Sequence, residues 1–157
     1  MHRATWRTAT AGFTLVELMI VVAIIATLAS IAVPIYMGLT DRARIAKAMA
    51  DIRILESEIA MFEFQRTRLP VNLDEINRAA LKDPWDNPYE YLSFAAAGAG
   101  WRGAARKDHS LVPLNSTYDL YSKGKDGDSK APLTAQASRD DIIRANDGGY
   151  IGLASGY

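Results

Sequence analysis

Two sets of carboxylates stand where an ionised oxygen could do chemistry. Asp126, Asp128, Asp140 and Asp141 place four acids around one region that also holds Ser122, Gly124 and Gly127. An oxygen-rich loop suits a hard cation, since calcium takes roughly six to eight oxygens from carboxylates, hydroxyls and carbonyls. The loop lacks the ligand spacing and terminal Glu of an EF-hand, and Lys123, Lys125 and Lys130 partly cancel its field. On these residues alone it reads equally as a calcium loop or a solvated turn. The second acid is Glu17, alone near the start of the uncharged run Phe13–Tyr36. Drawn into lipid, such a carboxylate costs on the order of 2–3 kcal/mol or more, so it either reaches the headgroup layer or awaits a positive partner. A cut between Gly12 and Phe13 would create a free amine four residues before Glu17. One amine cannot also serve the carboxylates of neighbouring chains. Pairing between copies would fix their axial register, because a wrong register leaves a charge buried alone at a penalty of about 3–5 kcal/mol.

Other chemistries lack their residues. The chain has no cysteine, which excludes disulfides, Cys-ligated zinc and Fe–S clusters, and only His2 and His109 for an imidazole site. It carries no G-x-S-x-G elbow, Walker A loop or H-E-x-x-H pair. Asp140 and Asp141 point to opposite faces if they lie on a strand, so they make a poor acid–base pair. Trp101, Arg102, Arg106, Lys107 and His109 could stack on and neutralise nucleic acid. Asp108 interrupts them and the formal charge of the chain is zero, so they read as a solvated loop and no nucleic acid is expected.

The elements that must position these groups follow from pattern. In the 157 residues every acid lies beyond position 12, whereas Arg3 and Arg7 precede it. A basic terminus feeding an apolar run is a membrane-targeting arrangement that keeps that end cytoplasmic. As a helix, residues 13–36 would reach ~36 Å, enough for a hydrocarbon core about 30 Å thick. Helical character continues, with Ile45, Met49, Ile52, Leu55, Ile59 and Phe62 forming an apolar stripe that reads as core, until Pro70 ends it beyond Arg66. Asn72 begins a brief helix ending near Leu81. Pro84, Trp85, Asn87, Pro88 and Tyr89 predict a turn pinned to the domain by Trp85 and Tyr89, leading into a strand over Tyr89–Phe94. Residues 95–100, rich in Ala and Gly, read as a flexible linker. Alternation over Tyr118–Ser122 predicts a strand running into the glycine-bent acidic loop.

The stretch Gly12-Phe13-Thr14-Leu15-Val16-Glu17 resembles the class III prepilin signal of type IV pilins and type II secretion pseudopilins. Pro34 also falls where many members carry a helix-kinking proline. The resemblance implies that a prepilin peptidase cuts between Gly12 and Phe13 and methylates Phe13, and that Glu17 is the assembly glutamate. Asp83-Pro84-Trp85-Asp86-Asn87-Pro88-Tyr89 is similar to a turn of the major pseudopilins, with Asp86 in place of the usual glycine. Tyr118–Gly127 resembles their C-terminal calcium loop. Carried over, this gives Ca2+ held by the Leu120 carbonyl, Ser122, Asp126, Asp128, and Asp140 or Asp141, although the glycine pair after Gly127 is missing. The implied architecture is the α+β pilin-like fold, a long N-terminal hydrophobic α-helix packed on a small C-terminal antiparallel β-sheet head. Its parts would be a leader at 1–12, a transmembrane and polymerisation helix at 13–36, an amphipathic second half at 37–68 and a periplasmic head at 69–157. Implied partners are further copies in a homopolymer, minor pseudopilins, an inner-membrane assembly platform, the peptidase and membrane lipid. The role expected is that of a non-enzymatic structural subunit of the type II secretion pseudopilus. The alternatives are a type IV pilin for adhesion, motility or DNA uptake, and a membrane-anchored periplasmic binding module that does not polymerise.

Overall fold

A computed structural model describes residues 12–157, so the proposed leader lies outside the described residues except for Gly12. The chain divides into two compact units, the first ending at Thr40 and the second covering Asp41–Tyr157. Helix α1 spans Leu15–Arg66 and contributes to both. It stops short of Pro70 because Thr67 turns to φ 59°, while its N–H still reaches the Glu63 carbonyl at 2.8 Å. A left-handed residue breaks the helical path, and the residue preceding a proline is biased away from it as well.

In the second unit the expected stripe faces inward. Ile52, Leu55 and Ile59 are fully buried together with Ala48, and Ile45 and Met49 pack at their edge. Steps of three and four keep these side chains on one face. They meet a four-stranded antiparallel sheet of β1 (Glu90–Ser93), β2 (Tyr118–Ser122), β3 (Ile142–Ala145) and β4 (Tyr150–Leu153), paired in chain order. Strand alternation sends Leu120 and Ile142 into the α1 side, with Leu73, Tyr89 and Tyr118. Tyr121 and Ile143 face the opposite side, where Leu114, Leu133, Ala145 and Ala154 form a second apolar cluster. Both faces of the sheet are therefore covered, which is why Ile142 and Ile143 are each 0% exposed despite being neighbours. The α+β architecture expected from the sequence is the one found.

Three local expectations need correction. The helix begun by Asn72 is a single 3-10 turn, Leu73–Ile76, because Asn77 takes a left-handed conformation (φ 57°) and closes it on the Asp74 and Leu73 carbonyls. Residues 95–100 are not a linker. Gly98–Gly100 form a 3-10 turn that leads directly into α2 (Trp101–Ala104), and Trp101 stacks on Phe94 with ring centroids 4.3 Å apart. Apolar contact between the two rings holds a segment whose composition alone favoured mobility. Nor is the basic cluster simply a solvated loop. Arg106 is only 2% exposed, whereas Arg102 and His109 remain at the surface.

Candidate functional site

The first unit presents its apolar side chains to the surroundings. Every large apolar residue from Phe13 to Leu39 is at least 46% exposed, and the helix is long and apolar enough to cross a membrane. Three of its aliphatic hydroxyls are satisfied internally: Thr27 donates to the Ala23 carbonyl at 2.8 Å, Ser30 to Thr27 at 2.7 Å and Thr40 to Met37 at 2.9 Å. Such self-satisfaction is what a lipid environment requires of a polar group.

Glu17 sits in the first turn of α1. Its Oε2 accepts the Thr14 N–H at 2.8 Å and the Thr14 hydroxyl at 2.9 Å, while Thr14 Oγ1 accepts the Glu17 N–H at 3.2 Å. This reciprocal pair is a capping box, in which the Ser/Thr at the cap and the Glu three residues later satisfy each other's orphan donors. The carboxylate also lies at the positive end of the helix dipole. The Thr-x-x-Glu spacing is legible in the sequence, inside the same stretch that carries the prepilin resemblance. Gly12 and Phe13 precede the cap, outside any helix or strand, and both are exposed.

At the other end of the chain, the proposed calcium ligands are brought to one region but not to one point. Leu120 is buried in β2, opposite Tyr91. Ser122 donates its hydroxyl to the Asp83 carboxylate and accepts the Gly124 N–H at 3.1 Å. Asp140 Oδ2 accepts the N–H groups of Lys125 at 2.8 Å and Asp126 at 3.0 Å. Asp126 Oδ1 takes the Asp128 N–H at 2.9 Å, and Asp128 Oδ1 takes that of Ser129 at 2.9 Å. Asp141, fully buried, is bound by the Arg106 guanidinium and the Ser129 hydroxyl. Among the described residues no three acidic or imidazole groups converge as a metal cage. Calcium binds through several carboxylate and carbonyl oxygens at 2.3–2.6 Å. A donor set in which one carboxylate is ion-paired and another filled by backbone amides does not fit that ion. The residues therefore support no step that runs through calcium.

What closes the loop instead includes groups that sequence reasoning overlooked. Asp83 Oδ1 accepts the N–H groups of Trp85 and Asn87, each at 2.9 Å, and so shapes the proline-rich turn. Asn87 in turn donates to the Gly124 carbonyl at 3.0 Å, tying that turn to the acidic loop. Gly124 has φ +66°, and a Cβ there would run into Asp140, so only glycine lets the two strands of the loop approach. Asp86, in the position where glycine is usual, adopts φ 74° and keeps the glycine-like conformation. Tyr89 is buried as expected and donates to Asp51 of α1 at 3.0 Å, while Trp85 packs at the core edge. Burial pushes the Asp141 carboxyl up to about 6, against the opposing pull of Ser129 and Arg106. Burial also raises Asp119, which accepts the Arg106 N–H at 2.6 Å and the Asn115 side-chain amide at 2.9 Å. No local pattern pairs Asp83 with Ser122, or Arg106 with Asp119 and Asp141, because those partners meet only through the fold.

Comparison with known proteins places both regions in context. The prokaryotic N-terminal methylation motif matches residues 7–33. The chain is 39% identical over 116 residues to the type II secretion system core protein G of Dickeya chrysanthemi, covering 74% of this chain and 71% of that one. It is 34% identical over 136 residues to the protein of that name from Vibrio cholerae, covering 74% and 81%. Against that of Pseudomonas aeruginosa the identity is 28% over 137 residues, covering 74% and 84%. No solved structure is significantly similar to the chain.

Proposed function

The chain belongs to the type II secretion system core protein G family, the major pseudopilins, and from that premise we propose that it is the repeating structural subunit of a secretion pseudopilus. It is a membrane-anchored subunit that forms a homopolymer within a secretion machinery. In this reading its head lies in the periplasm, and a prepilin peptidase removes residues 1–12 and methylates Phe13. Copies then leave the inner membrane through an assembly platform, together with minor pseudopilins, and stack their first-unit helices into a short fibre that helps drive folded proteins outward. The role is structural rather than enzymatic.

The observation that carries this reading is the first-unit part of α1, whose large apolar residues all stay exposed among the described residues, with the carboxylate of Glu17 in its first turn. Lipid covers such a surface before assembly, and other copies cover it afterwards. The capping box supports a way for Glu17 to be tolerated meanwhile, since Thr14 supplies two donors to its carboxylate. In the fibre the Phe13 amine of a neighbouring copy offers a full positive charge in place of those neutral donors. Charge-assisted hydrogen bonds are roughly twice as strong as neutral ones, so the exchange favours the copy in register.

Glu17→Ala separates anchoring from assembly. The variant is expected in the membrane fraction at the wild-type level, because removing a charge does not hinder insertion. Sheared fibres viewed by electron microscopy should be lost. Normal fibres from Glu17→Ala would overturn the register argument, and a variant missing from membranes would show that Glu17 serves anchoring instead.

A further inference from the structure

We propose that the C-terminal loop is closed by a cation that the chain supplies itself, the Arg106 guanidinium, and that folding of the head calls on no metal ion. Arg106 ties together three stretches that are distant in sequence. Its Nη1 donates to Ser129 Oγ at 2.6 Å and to the Lys130 carbonyl at 2.7 Å, and its Nη2 donates to the Asp141 carboxylate. Its backbone N–H is held by Asp119 of β2 at 2.6 Å, and its guanidinium lies 4.4 Å from the centre of the Tyr121 ring. The side chains of Arg106 and Asp141 are 3% and 0% exposed. A carboxylate buried that completely needs a positive charge beside it, and breaking such a pair leaves the survivor uncompensated. A guanidinium presents a planar fork of donors and remains charged at all working pH values, so it can gather a carboxylate, a hydroxyl and a carbonyl as a hard metal would.

Each of the remaining acids already has one carboxylate oxygen committed to backbone amides of the loop. The Asp140 carboxylate takes two backbone amides, and Asp126 and Asp128 each cap the amide of a residue just beyond them. Lys125 of the same loop reaches out to Asp41 of α1 at 2.8 Å. Two atoms of the clasp, Arg106 Nε and Asp141 Oδ1, are buried without a hydrogen-bond partner among the described residues. The loss of either member alone should be felt strongly, because the survivor would be a buried charge without its counter-ion.

The test uses the full-length processed chain in detergent micelles, followed by circular dichroism during heating. With excess EDTA or with millimolar calcium chloride, the wild-type melt is expected to be the same within about 1 °C, since a ligand stabilises only what binds it. Arg106→Gln should lower the melt by about 10 °C. Adding Asp141→Asn to that variant should recover part of the loss, because no unpaired charge then stays buried. A wild-type melt that falls on chelation, a tightly bound calcium found by elemental analysis, or an Arg106→Gln melt equal to wild type would each overturn the proposal. The wild-type comparison stands even if Arg106→Gln fails to fold. None of these results bears on fibre formation, so this inference and the pseudopilus reading fail separately.

Discussion

Asp140 and Asp141 are adjacent in sequence and end in different environments, one gathering backbone amides at the surface of a loop and the other sealed against Arg106. Residue identity left open whether either serves an ion, and the family resemblance pointed to one or the other of them as a calcium ligand. Partners decide the role of a carboxylate, and the same rule governs Glu75, whose two oxygens meet Arg68 Nη1 and Nη2 at 2.9 and 2.7 Å while Oε2 also takes the Val71 N–H at 2.7 Å. The Arg68 hydrogen bonds, followed by that of Val71, hold its carboxyl down at about 2. A carboxyl depressed in the folded state adds stability that is present above its ordinary value of 4.5 and lost as pH falls toward 2. A carboxyl-detected NMR titration should place the Glu75 midpoint near that low value in the wild type, and Arg68→Ala should return it toward 4.5. A midpoint unmoved by Arg68→Ala would show that the ion pair is not made in solution.

For α1, one helix serves two solvents. Its first part is apolar on all sides, as a segment covered by lipid or by other copies must be, whereas its second part has one buried stripe. Leu55 is fully buried and Ile54, the preceding residue, is 50% exposed. Leu55→Ala is expected to destabilise the head by about 2–5 kcal/mol, through lost burial and the cavity left behind. Ile54→Ala should cost no more than about 0.5 kcal/mol, since its surroundings are largely solvent. Urea unfolding of the two variants checks the contrast, and equal losses would mean that the helix packs in another rotation. The stripe was legible in the sequence because steps of three and four admit only one face. The short helix after Asn72 and the Trp101 helix were misread because Asn77 and the Phe94–Trp101 stack act across turns whose geometry propensity does not encode.

For the whole molecule, the proposed processing and assembly both turn on the residues around the start of α1. Mass spectrometry of the protein from cells is expected to give a chain that begins at Phe13 and is one methyl group heavier than the bare sequence. A chain retaining Met1 in cells with working secretion would remove the free amine on which pairing with Glu17 depends.

The sequence by itself determined the membrane-length helix, the core stripe, the strand over Tyr118–Ser122, and the Gly12-Phe13 and Glu17 signature. Each of these is carried by neighbours along the chain, through helical or strand periodicity and fixed short spacing. Only the tertiary structure decided what holds the C-terminal loop. Asp83 meets Ser122, Arg106 meets Asp141 and Asn87 meets Gly124 across 39, 35 and 37 residues. A charge's partner at such a separation is selected by the packing of the sheet and not by local pattern, so nothing along the chain marks Arg106 as the partner of Asp141.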